Sequence, residues 1–175
     1  MSIELNDYEK NFLKNHENDL RKKNIKSILA DISRSNRGDL GNIVPLFLEI
    51  GIDVWQYTDK VEKAMFRGSD SLETISIPEG ITKIEAYAFE NCKALKTVEL
   101  PNTVKKIETG AFSRTDNLTS LAIPESVVSI SKGCFEDCNE HIKLKTPRRG
   151  VSNKLYLPKN EIDWYKNHLV FTETK

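Results

Sequence analysis

LETISIPEGITKIEAYAFENCKA (Leu72–Ala94), LKTVELPNTVKKIETGAFSRTDN (Leu95–Asn117) and LTSLAIPESVVSISKGCFEDCNE (Leu118–Glu140) are one 23-residue unit written three times. Nine slots recur in register, among them Leu72/Leu95/Leu118, Ile75/Val98/Leu121, Pro78/Pro101/Pro124, Ile84/Ile107/Ile130, Phe89/Phe112/Phe135 and Cys92/Thr115/Cys138. A fixed period of this length signals a solenoid. The first half of each unit, Leu-x-x-Ile-x-Ile-Pro, ends in period-two alternation, which predicts a short half-buried strand stopped by proline. The second half, Ile-x-x-Ile-x-x-x-Ala-Phe, predicts a turn followed by a short helix or helical turn. One unit cannot bury its apolar side alone, whereas stacked units bury it against each other.

The strings Leu-x-x-Ile-x-Ile-Pro and Ile-x-x-x-Ala-Phe resemble the BspA-like, or Treponema-type, leucine-rich repeat over residues 72–140. The resemblance implies an α+β solenoid with one short parallel strand per 23-residue unit. It also implies a module for protein binding or surface adhesion rather than an enzyme.

Subtracting 23 from Ile84, Ala88 and Phe89 gives Val61, Met65 and Phe66, so residues 58–71 read as the second half of a degenerate unit without its strand. Upstream, residues 1 to about 36 read as helix. Asn6 and Glu9 fit a capping box, and Ile25, Ile28, Leu29 and Ile32 share one helical face. The cluster Arg21, Lys22, Lys23, Lys26 lies among acids and reads as a solvated face. Arg37-Gly38-Asp39 spells an integrin-binding tripeptide, but a turn between helices accounts for it. Leu40, Ile43, Val44, Phe47 and Leu48 predict a second helix with Pro45 in its first turn and Gly51 as its stop. Asp53 and Gln56 predict a capped short helix carrying Trp55 and Tyr57.

After Glu140 the pattern degrades. Leu144 and Pro147 keep their slots and predict a fourth strand at about 142–146. Lys154-Leu155-Tyr156-Leu157-Pro158 predicts a fifth strand, and Glu161–Leu169 an amphipathic helix with Trp164 as a packing lid. The expected division is an α-helical head over 1–57, repeats over 58–140 and a basic C-terminal cap over 141–175.

The 26 basic and 26 acidic residues cancel, but unevenly. Residues 1–70 carry 11 basic and 12 acidic groups (−1), residues 71–140 carry 7 and 11 (−4), and residues 141–175 carry 8 and 3 (+5). No apolar run reaches the ~18 residues of a membrane span. The N-terminus has acids and no apolar stretch of the secretory type, so the sequence reads as cytoplasmic.

Chemistry is sparse. His16, His141 and His168 fall in separate modules with no motif around them. Neither a nucleophile elbow nor a phosphate-cradling loop is present. Cys92 and Cys138 occupy one slot two units apart, on the order of 10 Å, too far for a disulfide. Cys134 stands where the other copies have alanine, and no zinc spacing accompanies it. The sequence therefore predicts no catalytic residue, no metal and no cofactor.

What remains is a surface. The residues between buried strand positions face outward. By rung they are Thr74 and Ser76, Thr97 and Glu99, Ser120 and Ala122, Lys143 and Lys145, and Lys154 and Tyr156, with Arg148 and Arg149 adjoining. The first rungs are small and nearly neutral, the last long and cationic. The leading expectation is a non-enzymatic module that binds a protein with an acidic surface. An inhibitor of a host enzyme or nuclease, carried by a phage or mobile element, fits that description. The alternatives are nucleic-acid binding through the basic cap, with Tyr156 as a stacking surface, and a bacterial surface adhesin. Tyr8, Phe12, Trp55 and Tyr57 offer a second protein surface on the head if exposed.

Overall fold

A computed structural model describes residues 3–35, 40–147 and 155–172. The expected strands appear as β2 (Thr74–Ser76), β4 (Thr97–Glu99), β6 (Ser120–Ala122) and β8 (Lys143–Pro147). β2 pairs with β4, and β6 with β8, parallel and offset by one unit: Ile75 faces Val98 and Leu121 faces Leu144. A second run of two-residue strands lies in the other half of each unit: β1 (Lys60–Val61), β3 (Lys83–Ile84), β5 (Lys106–Ile107) and β7 (Ser129–Ile130), hydrogen-bonded in that order. Val61 faces Ile84, the partner given by subtracting 23. The degenerate first unit thus contributes a strand to this second sheet.

No helix forms in the second half of the repeats. Ala88 N–H donates to Glu85 O, Glu90 N–H to Tyr87 O and Cys92 N–H to Phe89 O, a chain of tight turns. The alternate amides leave the unit: those of Tyr87, Phe89 and Asn91 donate to Thr109, Ala111 and Ser113 of the next one. Every second N–H is therefore spent between units, and a helical i→i−4 ladder cannot propagate. Left-handed backbone enforces this at two slots, Ala64/Tyr87/Gly110/Gly133 and Gly68/Asn91/Arg114/Asp137, all with φ between 55° and 74°. At Gly110 glycine is required sterically as well. A Cβ there would lie 2.6 Å from ring carbons of Tyr87, the residue one unit earlier in the same slot.

The core runs unbroken from Ile25 to Tyr165. Its spine is a column of stacked rings. Phe66, Phe89, Phe112 and Phe135 follow at centroid spacings of 5.0, 5.2 and 5.7 Å, within 7° of parallel. Trp164 closes one end at 5.8 Å from Phe135, as the lid reading expects, and Trp55 covers Phe66 at 6.2 Å.

The C-terminal segment is arranged differently from expectation. The expected fifth strand does not join β8. Tyr156 bridges Ser129 and so continues the second sheet. The first sheet instead receives β9 (Leu169–Thr172), which pairs with β8 after helix α5 (Ile162–His168). α5 falls between Tyr156 and β9 and brings Trp164 onto Phe135, so the chain keeps the repeat's own order of first sheet, second sheet, ring column and first sheet again. Lys154 and the Arg37-Gly38-Asp39 turn lie outside the described residues.

The head is three helices rather than one: α1 (Asp7–Asn15), α2 (Glu17–Arg21) and α3 (Ile25–Ser35). Lys23 takes a left-handed φ of 55°, and Asn24 N–H reaches back to Asp19 O, which ends α2. The capping box forms, with Glu9 N–H donating to Asn6 Oδ1 and Asn6 N–H to Glu9 Oε2. Glu9 is fully buried, and its other oxygen accepts from the Asn42 amide at 2.8 Å. Helix α4 (Ile43–Glu49) has Pro45 in its first turn. Gly51 (φ 82°) ends it in a Schellman arrangement, with Ile52 N–H on Phe47 O. Asp53 caps a 3-10 turn over Val54–Tyr57.

His16 ties α1 to α3. Its Nε2 lies 2.9 Å from Asp31 Oδ2, its Nδ1 2.9 Å from Phe12 O, and its ring stacks on Phe12. Burial alone would lower the imidazole pKa, but the Asp31 carboxylate and the Phe12 carbonyl outweigh it and raise the value. The His16 hydrogen bond holds Asp31 below its usual range, with Arg34 adding to this. A raised histidine stabilises fully below its unfolded pKa and loses that contribution as pH rises through the folded one. A lowered carboxylate stabilises above its unfolded pKa. The pair therefore contributes most between the ordinary carboxylate and imidazole ranges, about pH 4 to 6.5. His16→Ala is expected to cost about 1 kcal/mol at pH 5.5 and less at pH 8.5. Urea titrations at both pH values check the sign.

Candidate binding surface

The outward residues of the first sheet form two columns because the register offset equals the repeat. One holds Thr74, Thr97, Ser120 and Lys143, the other Ser76, Glu99, Ala122 and Lys145. All are exposed except the half-buried Ser120, while Ile75, Val98, Leu121 and Leu144 between them are buried. Proline at the strand ends and alternation within them suffice for this arrangement. β9 lengthens the second column, with Val170 beside Lys145 and 39% exposed.

The face is polarised. Thr74, Ser76, Thr97, Ser120 and Ala122 carry no charge, and Glu99 is the single acid in the two columns. Lys96 and Glu73 pair at 2.7 Å on its rim. Lys143 and Lys145 have no ion-pair partner among the described residues, so both ammonium groups are available. At the opposite end the unpaired edge of β2 borders a cleft of about 310 Å³ lined by Ile3, Pro45, Leu48, Glu49 and Ser71–Ile75.

Tyr156, expected on this face, lies on the second sheet and is 66% exposed there. Arg148, Arg149 and Lys154 lie outside the described residues. Of the four aromatic residues expected on the head surface, Tyr8 is exposed, while Phe12, Trp55 and Tyr57 are half-buried, Trp55 against the aromatic column. Sequence reasoning missed the exposed Val128 and Val170. Val128 falls at a polar position of the other units, Thr82 and Lys105, and a comparison slot by slot would have found it.

Polar chemistry elsewhere is structural. His168 stacks on Trp164 and bonds the Trp164 and Glu140 carbonyls, while His141 is exposed beside Glu140. Burial pushes the Cys92 thiol up to about 12 and raises Cys134 and Cys138 too. Cys92 and Cys138 donate to the Phe66 and Phe112 carbonyls of the preceding units. All three cysteines are free thiols. Among the described residues no three His, Cys, Asp or Glu side chains are grouped to hold a metal ion. No described helix is long and apolar enough to cross a membrane.

Comparison with known proteins gives two matches. The BspA-type leucine-rich repeat region, as six copies, matches residues 59–154. A leucine-rich cell surface protein from Faecalibacterium prausnitzii A2-165, known from a crystal structure, is 36% identical over 44% of this chain, with a TM-score of 0.41. The matched part is 20% of that protein's length, so the chain spans about a fifth of it. No curated protein matches.

Proposed function

Because the chain belongs to the BspA-type leucine-rich repeat family, whose repeats serve protein–protein contact, we propose that it binds an acidic protein surface through its first sheet. The observation that carries this reading is the pair of exposed columns, small and neutral from Thr74 to Ala122 and ending in the unpaired Lys143 and Lys145. Small side chains let a partner approach the sheet closely. Unpaired ammonium groups orient it by charge and raise its association rate. The acidic body between residues 71 and 140 disfavours a nucleic-acid backbone lying along the same face.

The test is capture from lysate of the source cell, with the full chain as bait and Lys143→Glu/Lys145→Glu as comparison. A protein held by the wild type and bound at least about tenfold more weakly by the double variant is the expected result. Retention that salt weakens would agree with charge steering. Nuclease-sensitive retention would overturn the reading in favour of nucleic acid, and a partner bound equally by both baits would move the site off this face.

A further inference from the structure

The second sheet carries a charge ladder that stops one step early. Lys60, Lys83 and Lys106 stack in register on its outer side, and each is followed two residues later by an acid: Glu62, Glu85 and Glu108. Lys60 and Lys83 each reach the acid of the next unit. Lys60 Nζ is 3.0 Å from Glu85, and Lys83 Nζ is 3.2 Å from Glu108. Lys60 also meets its own Glu62 at 3.3 Å, and Lys83 its own Glu85 at 3.6 Å. For Lys106 the next acid slot holds Ser131. The Ser131 hydroxyl donates to Glu108 at 3.2 Å, while the other Glu108 oxygen serves Lys83. Lys106 is exposed and has no ion-pair partner among the described residues.

The same step is where the sheet surface turns apolar. Ser129 lies beside Lys106, and Tyr156 beside Ser129. Tyr156 is 66% exposed, more than any other large apolar side chain described, and neighbouring Val128 is 42% exposed. The Tyr156 amide donates to Val128 O, and the Val128 amide to Lys105 O, so backbone bonds fix all of these positions. Two rungs separate Lys106 from Tyr156, on the order of 10 Å. Neighbouring same-face side chains of an extended segment stand about 6.6–6.8 Å apart, and the long Lys106 side chain can make up the difference.

We propose that Lys106, Val128 and Tyr156 form a second docking site, distinct from the first sheet, for a protein segment presenting a carboxylate beside an apolar side chain. The carboxylate occupies the place that Glu85 and Glu108 take in the earlier units, and the apolar side chain covers Val128 and the Tyr156 ring. A single carboxylate fits because only one ladder position is open. A polyanion running along this sheet would meet Glu62, Glu85 and Glu108 at every earlier rung, which disfavours nucleic acid despite the tyrosine.

Fluorescence anisotropy tests this with two labelled hexapeptides, one alternating glutamate and leucine, the other glutamine and leucine. A labelled oligothymidylate is the third probe. The full chain is expected to bind the glutamate peptide at least tenfold more tightly than the glutamine peptide. Lys106→Ala and Tyr156→Ala should each weaken that binding at least fivefold, and each by more than Lys143→Glu/Lys145→Glu does. Ser131→Glu is the decisive variant. It supplies the missing acid within the chain, so it should abolish peptide binding while the melting temperature stays level or rises. Equal binding of the two peptides, no binding of either, retention by Ser131→Glu, or preference for the oligonucleotide would each overturn the proposal. Loss of binding on the Lys143/Lys145 variant alone would assign the peptide to the first sheet and overturn it as well.

Discussion

Phe112→Ala is expected to destabilise the protein by about 3–5 kcal/mol. Phe112 is fully buried, with Phe89 at 5.2 Å on one face and Phe135 at 5.7 Å on the other. Its loss opens a gap in mid-column that neighbouring rings cannot close, because inter-unit hydrogen bonds hold their backbones in place. The Phe112 amide itself donates to Cys134 O. In a chain of this length the melting midpoint should fall by roughly 10 °C. Phe112→Leu keeps most of the volume and should cost about 1.5 kcal/mol. Thermal and urea unfolding of both variants measure the difference. Equal losses would mean that filled volume recovers nothing and that the column depends on ring stacking.

Gly41→Ala is expected to lift the head from the repeats. A Cβ at Gly41 would stand 2.4 Å from both Arg67 O and Ser69 N. Those are backbone atoms of the first unit and cannot turn aside as a side chain would. The next residue, Asn42, is the hub of the junction. Its Oδ1 accepts from Ser69 Oγ and Ser71 Oγ, its Nδ2 donates to Asp70, and its amide donates to Glu9. A shift that relieves the clash strains all four bonds. The cost should be about 3 kcal/mol, at the upper end for overpacking. It should also be local. Hydrogen exchange is expected to quicken through α1–α4 while amides of units 95–130 stay protected, since a solenoid unit depends chiefly on its neighbours. Uniform quickening along the whole chain would instead show that head and repeats unfold as one.

The sequence was most readable where one residue type recurs at one slot. Phe66 was placed in the column by subtracting 23 from Phe89, and the exposed columns on the first sheet followed from strand alternation alone. The left-handed slots were not legible. Ala64, Tyr87, Gly110 and Gly133 share a backbone conformation but no side-chain chemistry. Inter-unit amide bonds impose that conformation, and in the companion slot only Gly68, Asn91 and Asp137 hint at it by type. The closing unit misled for a related reason. Leu-Tyr-Leu-Pro has the letters of a first-sheet strand, but the site left open at that point in the chain is on the second sheet. Glu9 was legible as half of a capping box, whereas its bond to an amide 33 residues away was not.

The protein has two tryptophans, and the aromatic column puts one at each end. Trp55 caps the Phe66 end from the head, and Trp164 caps the Phe135 end from α5. No interior unit contains an indole. Tryptophan emission, excited on the red side of tyrosine absorption, therefore reports only on the two termini of the stack, and replacing either tryptophan by phenylalanine leaves a single native reporter. Fraying from the head and fraying from the cap become separately visible optical events, without attached dyes.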